Sequence, residues 1–211
     1  MSPETRIHFQ EELERLEDQT LGALDMVIEA VDRVAEAVQH QDIELASMVI
    51  ADDDRIDGRY LEVHQGVLSL LARQAPVATD LRLIAALLDV IKHAERMGDQ
   101  CVNICKLLPL AGNEPPTHPE VLEKIAEMAR DLVRQDDEID RLNRRVFHRA
   151  LEIGDDPDQR EWGMHMMLVG RCIERIGDNA VDIGEQTAFV VTGLFREFED
   201  ASHPELAPPT A

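Results

Sequence analysis

The pentapeptide Glu95-Arg96-Met97-Gly98-Asp99 recurs in the second half of the chain as Glu174-Arg175-Ile176-Gly177-Asp178. Beyond each copy, one helical turn on, stands a polar residue followed by isoleucine, Asn103-Ile104 in one case and Asp182-Ile183 in the other. Upstream, Asp53-Asp54-Arg55-Ile56-Asp57 has its own counterpart in Asp136-Asp137-Glu138-Ile139-Asp140, at nearly the same separation. Two segments repeating in the same order at nearly one offset mean a duplicated unit, so the fold must use one supersecondary element twice.

That unit is helical. Aromatic residues make up 3% of the chain, and no apolar/polar alternation is bounded by turn dipeptides, so strands have no signal. The reading is an all-α duplicated bundle. Ser2 as N-cap and Pro3 at the first helical position open a helix running to about His40. A turn at Gln41 and Asp42 starts a second helix, which continues through Met48, Ile50, Ile56 and Leu68 to about Gln74. Pro76 interrupts the backbone bonding, and Thr79 caps a third helix from Asp80 to about Leu108. These helices form a first repeat, residues 1–110. Residues 111–118, with Gly112, Pro115 and Pro116, read as a linker, and a capping box of Thr117 and Glu120 opens a fourth helix to about Leu151. A break at Gly154 to Pro157 precedes a fifth helix reaching about Phe198, which completes a second repeat over 119–198. The proline-containing tail, 199–211, is expected to be disordered.

Composition excludes several function classes. The 43 acids against 21 bases give a formal charge of −22, which repels nucleic acid and attracts cations or basic partner surfaces. No apolar run approaches the length needed to cross a bilayer, so the chain is expected to be peripheral to a membrane at most. The first residues carry no secretory signature, and the three cysteines, an odd number set in apolar helical patterns, fit a reducing cytoplasm. No phosphate-binding loop, dinucleotide fingerprint or nucleophile elbow is present, so nucleophilic catalysis has no support and no catalytic residue is assigned.

What remains is a set of carboxylates. In each half a helix offers two acids four residues apart, one turn apart on one face. At this acid content about eight such pairs arise by chance, so a single pair says little. The repeating flanks and the seam position of Glu95 lift these pairs above that background. Leu81, Ile84, Leu88, Ile91, Glu95, Gly98, Val102 and Cys105 follow a/d spacing, which puts Glu95 where an apolar residue is expected and predicts a buried or nearly buried carboxylate. In the fifth helix, Gly163, Gly170, Gly177 and Gly184 form a track along which a neighbouring backbone can approach. Paired buried carboxylates require positive charge. One source is arginine, with Arg96 and Arg175 reaching across helices in a structural network. The other is bound cations, and an oxygen-only donor set favours hard ions, namely magnesium, manganese, calcium or ferric iron, over zinc or copper. None of the eight histidines has glutamate three residues before it, which argues against a ferritin-like di-iron bundle. His93 reads as a seam-edge residue.

These residues resemble a known family. Gln74-Ala75-Pro76-Val77-Ala78-Thr79-Asp80-Leu81-Arg82, the two Glu-Arg-x-Gly-Asp segments, the two acid-rich Ile-Asp segments and Val191-Thr192-Gly193 are similar to PhoU, the accessory and regulatory protein of bacterial phosphate-specific transport. The resemblance spans about Phe9 to Gly193 and implies two three-helix bundles related by duplication. It also implies metal-binding acid pairs, carried over here onto Asp53 with Asp57, Glu95 with Asp99, Asp136 with Asp140, and Glu174 with Asp178. A homodimer follows in the same way. So does a non-enzymatic role as negative regulator of phosphate signalling and phosphate homeostasis, between the Pst ABC transporter and the sensor kinase PhoR. The competing class is a carboxylate-bridged metalloenzyme in a helical bundle.

The second repeat departs from that pattern. Between Met26 and Asp53 the first half has a turn and most of a helix hairpin, whereas Met128 and Asp136 are close neighbours along one helix. A segment of about 19 residues is therefore missing relative to the first half, leaving the second bundle short of a helix. An intertwined dimer in which another chain completes the cage is the expectation.

Overall fold

The computed structural model describes residues 3–74, 76–111, 142, 145–146 and 157–194. Helices α1 (Pro3–His40), α2 (Ile43–Asp52), α3 (Asp54–Arg73) and α4 (Ala78–Leu107) are followed by a 3₁₀ turn (Leu108–Ala111), and α5 spans Pro157–Thr192. Among the described residues there is no strand, and no helix is long and apolar enough to cross a membrane.

The apolar stripe of α1 explains its length. Phe9, Leu13, Leu16, Ala23, Val27, Val34 and Val38 recur at helical spacing and are all buried, so one face can stay against the core for most of the helix. Its end is a Schellman turn: Gln41 adopts φ 52°, and the Asp42 N–H reaches the Ala37 carbonyl at 2.9 Å. Asp42 then caps α2, its carboxylate accepting from the Leu45 N–H at 2.9 Å.

Three differences from the sequence reading matter. The predicted helix over 42–74 is two helices joined at Asp53, which serves as the end of α2 and the start of α3 without a side-chain cap. Three successive aspartates, Asp52 to Asp54, are weak helix formers, and the restart places Asp54 and Asp57 in the first turn of α3, where the helix dipole favours acids. Helix α4 begins at Ala78, with extended Val77 rather than Thr79 at its cap. Helix α5 stops at Thr192 because Gly193 takes φ 72° and donates to the Phe189 carbonyl at 2.8 Å, a left-handed stop open to glycine at little cost. The linker 111–118 but for its first residue, the fourth helix over 119–151 apart from Leu142, Arg145 and Val146, and the tail 199–211 lie outside the described residues.

Among the described elements the most extensive pairing is α4 against α5. Ile84, Ile91, Ala94 and Ile104 of α4 and Met166, Val169, Ile173 and Ile176 of α5 belong to one buried cluster, and Gly163, Gly170 and Gly177 are buried on α5. On the other side α4 meets α1, α2 and α3. Helix α4 is therefore the shared wall of the molecule, and the two copies of the pentapeptide sit on α4 and α5, the helices that pack together there.

Candidate cation site at the joint of α2 and α3

Asp53 stands at the joint between α2 and α3, and Asp57 lies one turn into α3. Both helices contact α4, which carries Glu95 and Asp99. The four acids feel one another. Burial, and after it the charges of Asp57, Asp99, Glu95 and Asp54, push the Asp53 carboxyl up to about 6. Burial, then Asp99 and Asp57, likewise raise Glu95, with Arg96 opposing. Among the described residues none of these four acids is in an ion pair, and none of the cysteines is in a disulfide.

Gly98 shows why the motif carries glycine at that place. A Cβ built there would stand 2.9 Å from Asp53 Oδ1 and 3.2 Å from Ile56 Cδ1, so the carboxylate occupies the space that a side chain would fill. Asp53, Gly98 and Cys101 line a cleft with Met26, Arg33 and Asp52. Its free space is about 20 Å³, room for about one water-sized sphere.

These residues fit a hard cation in chemistry: oxygen donors only, a glycine cradle beneath one of them, and mutual repulsion with no base among the described residues bonded to any of the four. They are not a closed cage. Among the described residues no three carboxylate, imidazole or thiol groups stand close enough together to hold an ion as they are placed. Asp57 and Asp99 are exposed, and Glu95 is half-buried. The seam argument thus overstated the burial of Glu95. The same edge leaves Leu81, in the first turn of α4, 50% exposed.

The second set differs. Arg171 donates to Glu174 one turn away, and Asp178 is also engaged in a polar interaction. Asp136 and Asp140 lie outside the described residues. Among the described residues, the arginine bonded to Glu174 is Arg171 rather than Arg175, because a residue three positions away shares the helix face whereas an adjacent one points about 100° off. Beside it, His93 bridges α4 to α5: its Nδ1 is 2.7 Å from Asn179 Oδ1 and 3.4 Å from Asp182 Oδ2. Asn179 in turn donates to the Arg175 carbonyl at 2.6 Å. The sequence placed His93 at the edge of the seam without showing this bond; the i,i+3 pair Asn179 and Asp182 was the available signal. Cys101 and Cys105 are core residues, as expected. Burial pushes the Cys105 thiol up to about 12 and raises those of Cys101 and Cys172, so the thiolate is suppressed.

Comparison with known proteins agrees with this architecture. The PhoU domain matches residues 21–108 and 120–187, well over half of the chain. The chain belongs to the PhoU family. Among relatives, the PhoU homologue of Clostridium acetobutylicum is 29% identical, covering 93% of this chain and 100% of its own. That of Aquifex aeolicus is 30% identical, covering 78% and 84%. Both bear the name of a phosphate-specific transport system accessory protein. In fold, the crystal structure of PhoU from Pseudomonas aeruginosa superposes with a TM-score of 0.75 at 24% identity, over 88% of this chain and all of that one. The second matched segment is shorter than the first.

Proposed function

We propose that this chain is a non-enzymatic regulator of phosphate uptake and of the phosphate-starvation response. It acts in the cytoplasm as an adaptor between the Pst transporter and the sensor kinase PhoR, with hard cations held at the first carboxylate cluster. Family membership supports the phosphate role, and the names of the relatives support association with a phosphate-specific transport system. One observation carries the cation: Asp53, Asp57, Glu95 and Asp99 crowd their charges together, raising the Asp53 and Glu95 carboxyls, and among the described residues none of the four is paired with a base.

A bound iron, manganese or magnesium ion would supply positive charge at that point. Asp53 and Asp57 from the joint and α3, and Glu95 and Asp99 from α4, are the residues to hold it, fastening α3 to α4. The shortened second match supports a homodimer in which two chains complete the C-terminal unit.

Metal content per chain in the wild type and in a Glu95→Ala, Asp99→Ala variant tests the cation. Metal in the first and its loss from the second, at unchanged helix content, is expected; metal-free wild type after gentle purification would remove this half of the reading. A reporter of the starvation response in a deletion strain tests the adaptor. Constitutive expression restored to phosphate control by this chain is expected, and failure to restore it would remove the regulatory half.

A further inference from the structure

Arg33 of α1 belongs to no repeated motif, yet it lines the same cleft as Asp53. Its guanidinium, 26% exposed, donates to Asp52 Oδ2 at 2.5 Å and to Glu29 one turn back on α1. Asp52 is the last residue of α2, and the next residue, Asp53, has no capping bond from its side chain. The joint is therefore gripped from one side by Arg33 through Asp52, and on the other its carboxylate rests on Gly98. Without that grip, repulsion from Asp57, Asp99, Glu95 and Asp54 favours swinging Asp53 away. A two-pronged arginine resists such a swing better than a single charge, because its fork fixes direction as well as distance.

We propose that Arg33 is a positioning residue for the first carboxylate site, acting through Asp52 to hold the joint of α2 and α3 where Asp53 projects over the bare backbone of Gly98. The proposal rests on the cation reading of that cluster for its consequence, but its geometry stands without metal. It also gives Gly98 a role: the glycine of the pentapeptide is the seat for a carboxylate delivered by the other motif.

The test uses the full chain with two readouts, the Gly98 amide resonance in metal-free protein and Mn²⁺ binding by titration. In wild type, Asp53→Asn shifts the Gly98 resonance; in Arg33→Gln it leaves that resonance in place, because Asp53 has already left its seat. Mn²⁺ binding falls about tenfold in Arg33→Gln, as for loss of an outer-sphere contact. Asp52→Asn reproduces the change, and Arg33→Lys, which keeps the contact to Asp52, restores binding to within about threefold. Glu29→Gln, which cuts only the outer contact, leaves both readouts unchanged. An Arg33→Gln protein that keeps both the Asp53 effect on Gly98 and wild-type Mn²⁺ affinity overturns the proposal. A wild type that binds no Mn²⁺, with the Gly98 effect still lost in Arg33→Gln, overturns the cation reading and upholds the positioning role.

Discussion

Glu95 and Glu174 hold the same place in the repeat, yet among the described residues their neighbours differ in charge. Around Glu95 the neighbours are mostly further acids, one of them a carboxylate seated on glycine. Around Glu174 an arginine on the same helix supplies the countercharge. Spacing alone made the two pairs equivalent. What separates them is the residue three positions earlier on the same helix, Lys92 before Glu95 and Arg171 before Glu174: Lys92 pairs with Asp89 instead. On the proposed reading, a motif that offers oxygens takes a cation where no base among the described residues has already neutralised it.

The sharpest way to break this contrast is to remove each pair in turn. Glu95→Ala with Asp99→Ala lowers Mn²⁺ affinity by roughly a hundredfold, about 2.7 kcal/mol, whereas Glu174→Ala with Asp178→Ala leaves the affinity of the first site unchanged. Equal losses in isothermal titration would erase the distinction. Next comes the bridge between the halves: His93→Leu leaves Asn179 Oδ1 without its His93 partner and costs about 1.5 kcal/mol in urea unfolding.

A smaller effect tests the repulsion itself. The Asp53 carboxyl stands at about 6 in the fold against an ordinary 3.8, so the folded state holds its proton more tightly than the unfolded one. Metal-free stability from this group is therefore fully present below about pH 4 and is lost as pH rises through 6. Asp53→Asn removes that loss, stabilising the metal-free chain at pH 7 by about 1 kcal/mol after discounting for solvent screening, with no gain at pH 3.5. Parallel pH curves for the two proteins would show that the repulsion is absent. Smallest of all, Arg171→Ala changes stability by under about 0.5 kcal/mol, since its arginine is exposed, but it removes that arginine from Glu174, and a second Mn²⁺ equivalent appearing in that variant would sharpen the comparison.

Much of the helical plan was legible because helix periodicity and breakers act locally. Pro3, His40, Pro76 and Pro157 mark boundaries that the fold keeps to within two or three residues. The break at Asp53 was not legible, because an aspartate in helical φ and ψ looks like any other helical residue until the chains of contacts on either side are known. Arg33 was equally hidden. Its partner Asp52 lies 19 residues away across a turn, and no spacing rule connects them.

The sequence by itself determined the helices, the duplication and the acid pairs, since each is set by residues within a few turns of one another or by plain recurrence along the chain. Only the tertiary structure decided which carboxylates are left facing like charge from other helices. That depends on what other helices bring alongside: electrostatic energy is governed by distance in space, and neighbours in space here come from opposite ends of a hairpin or from different repeats.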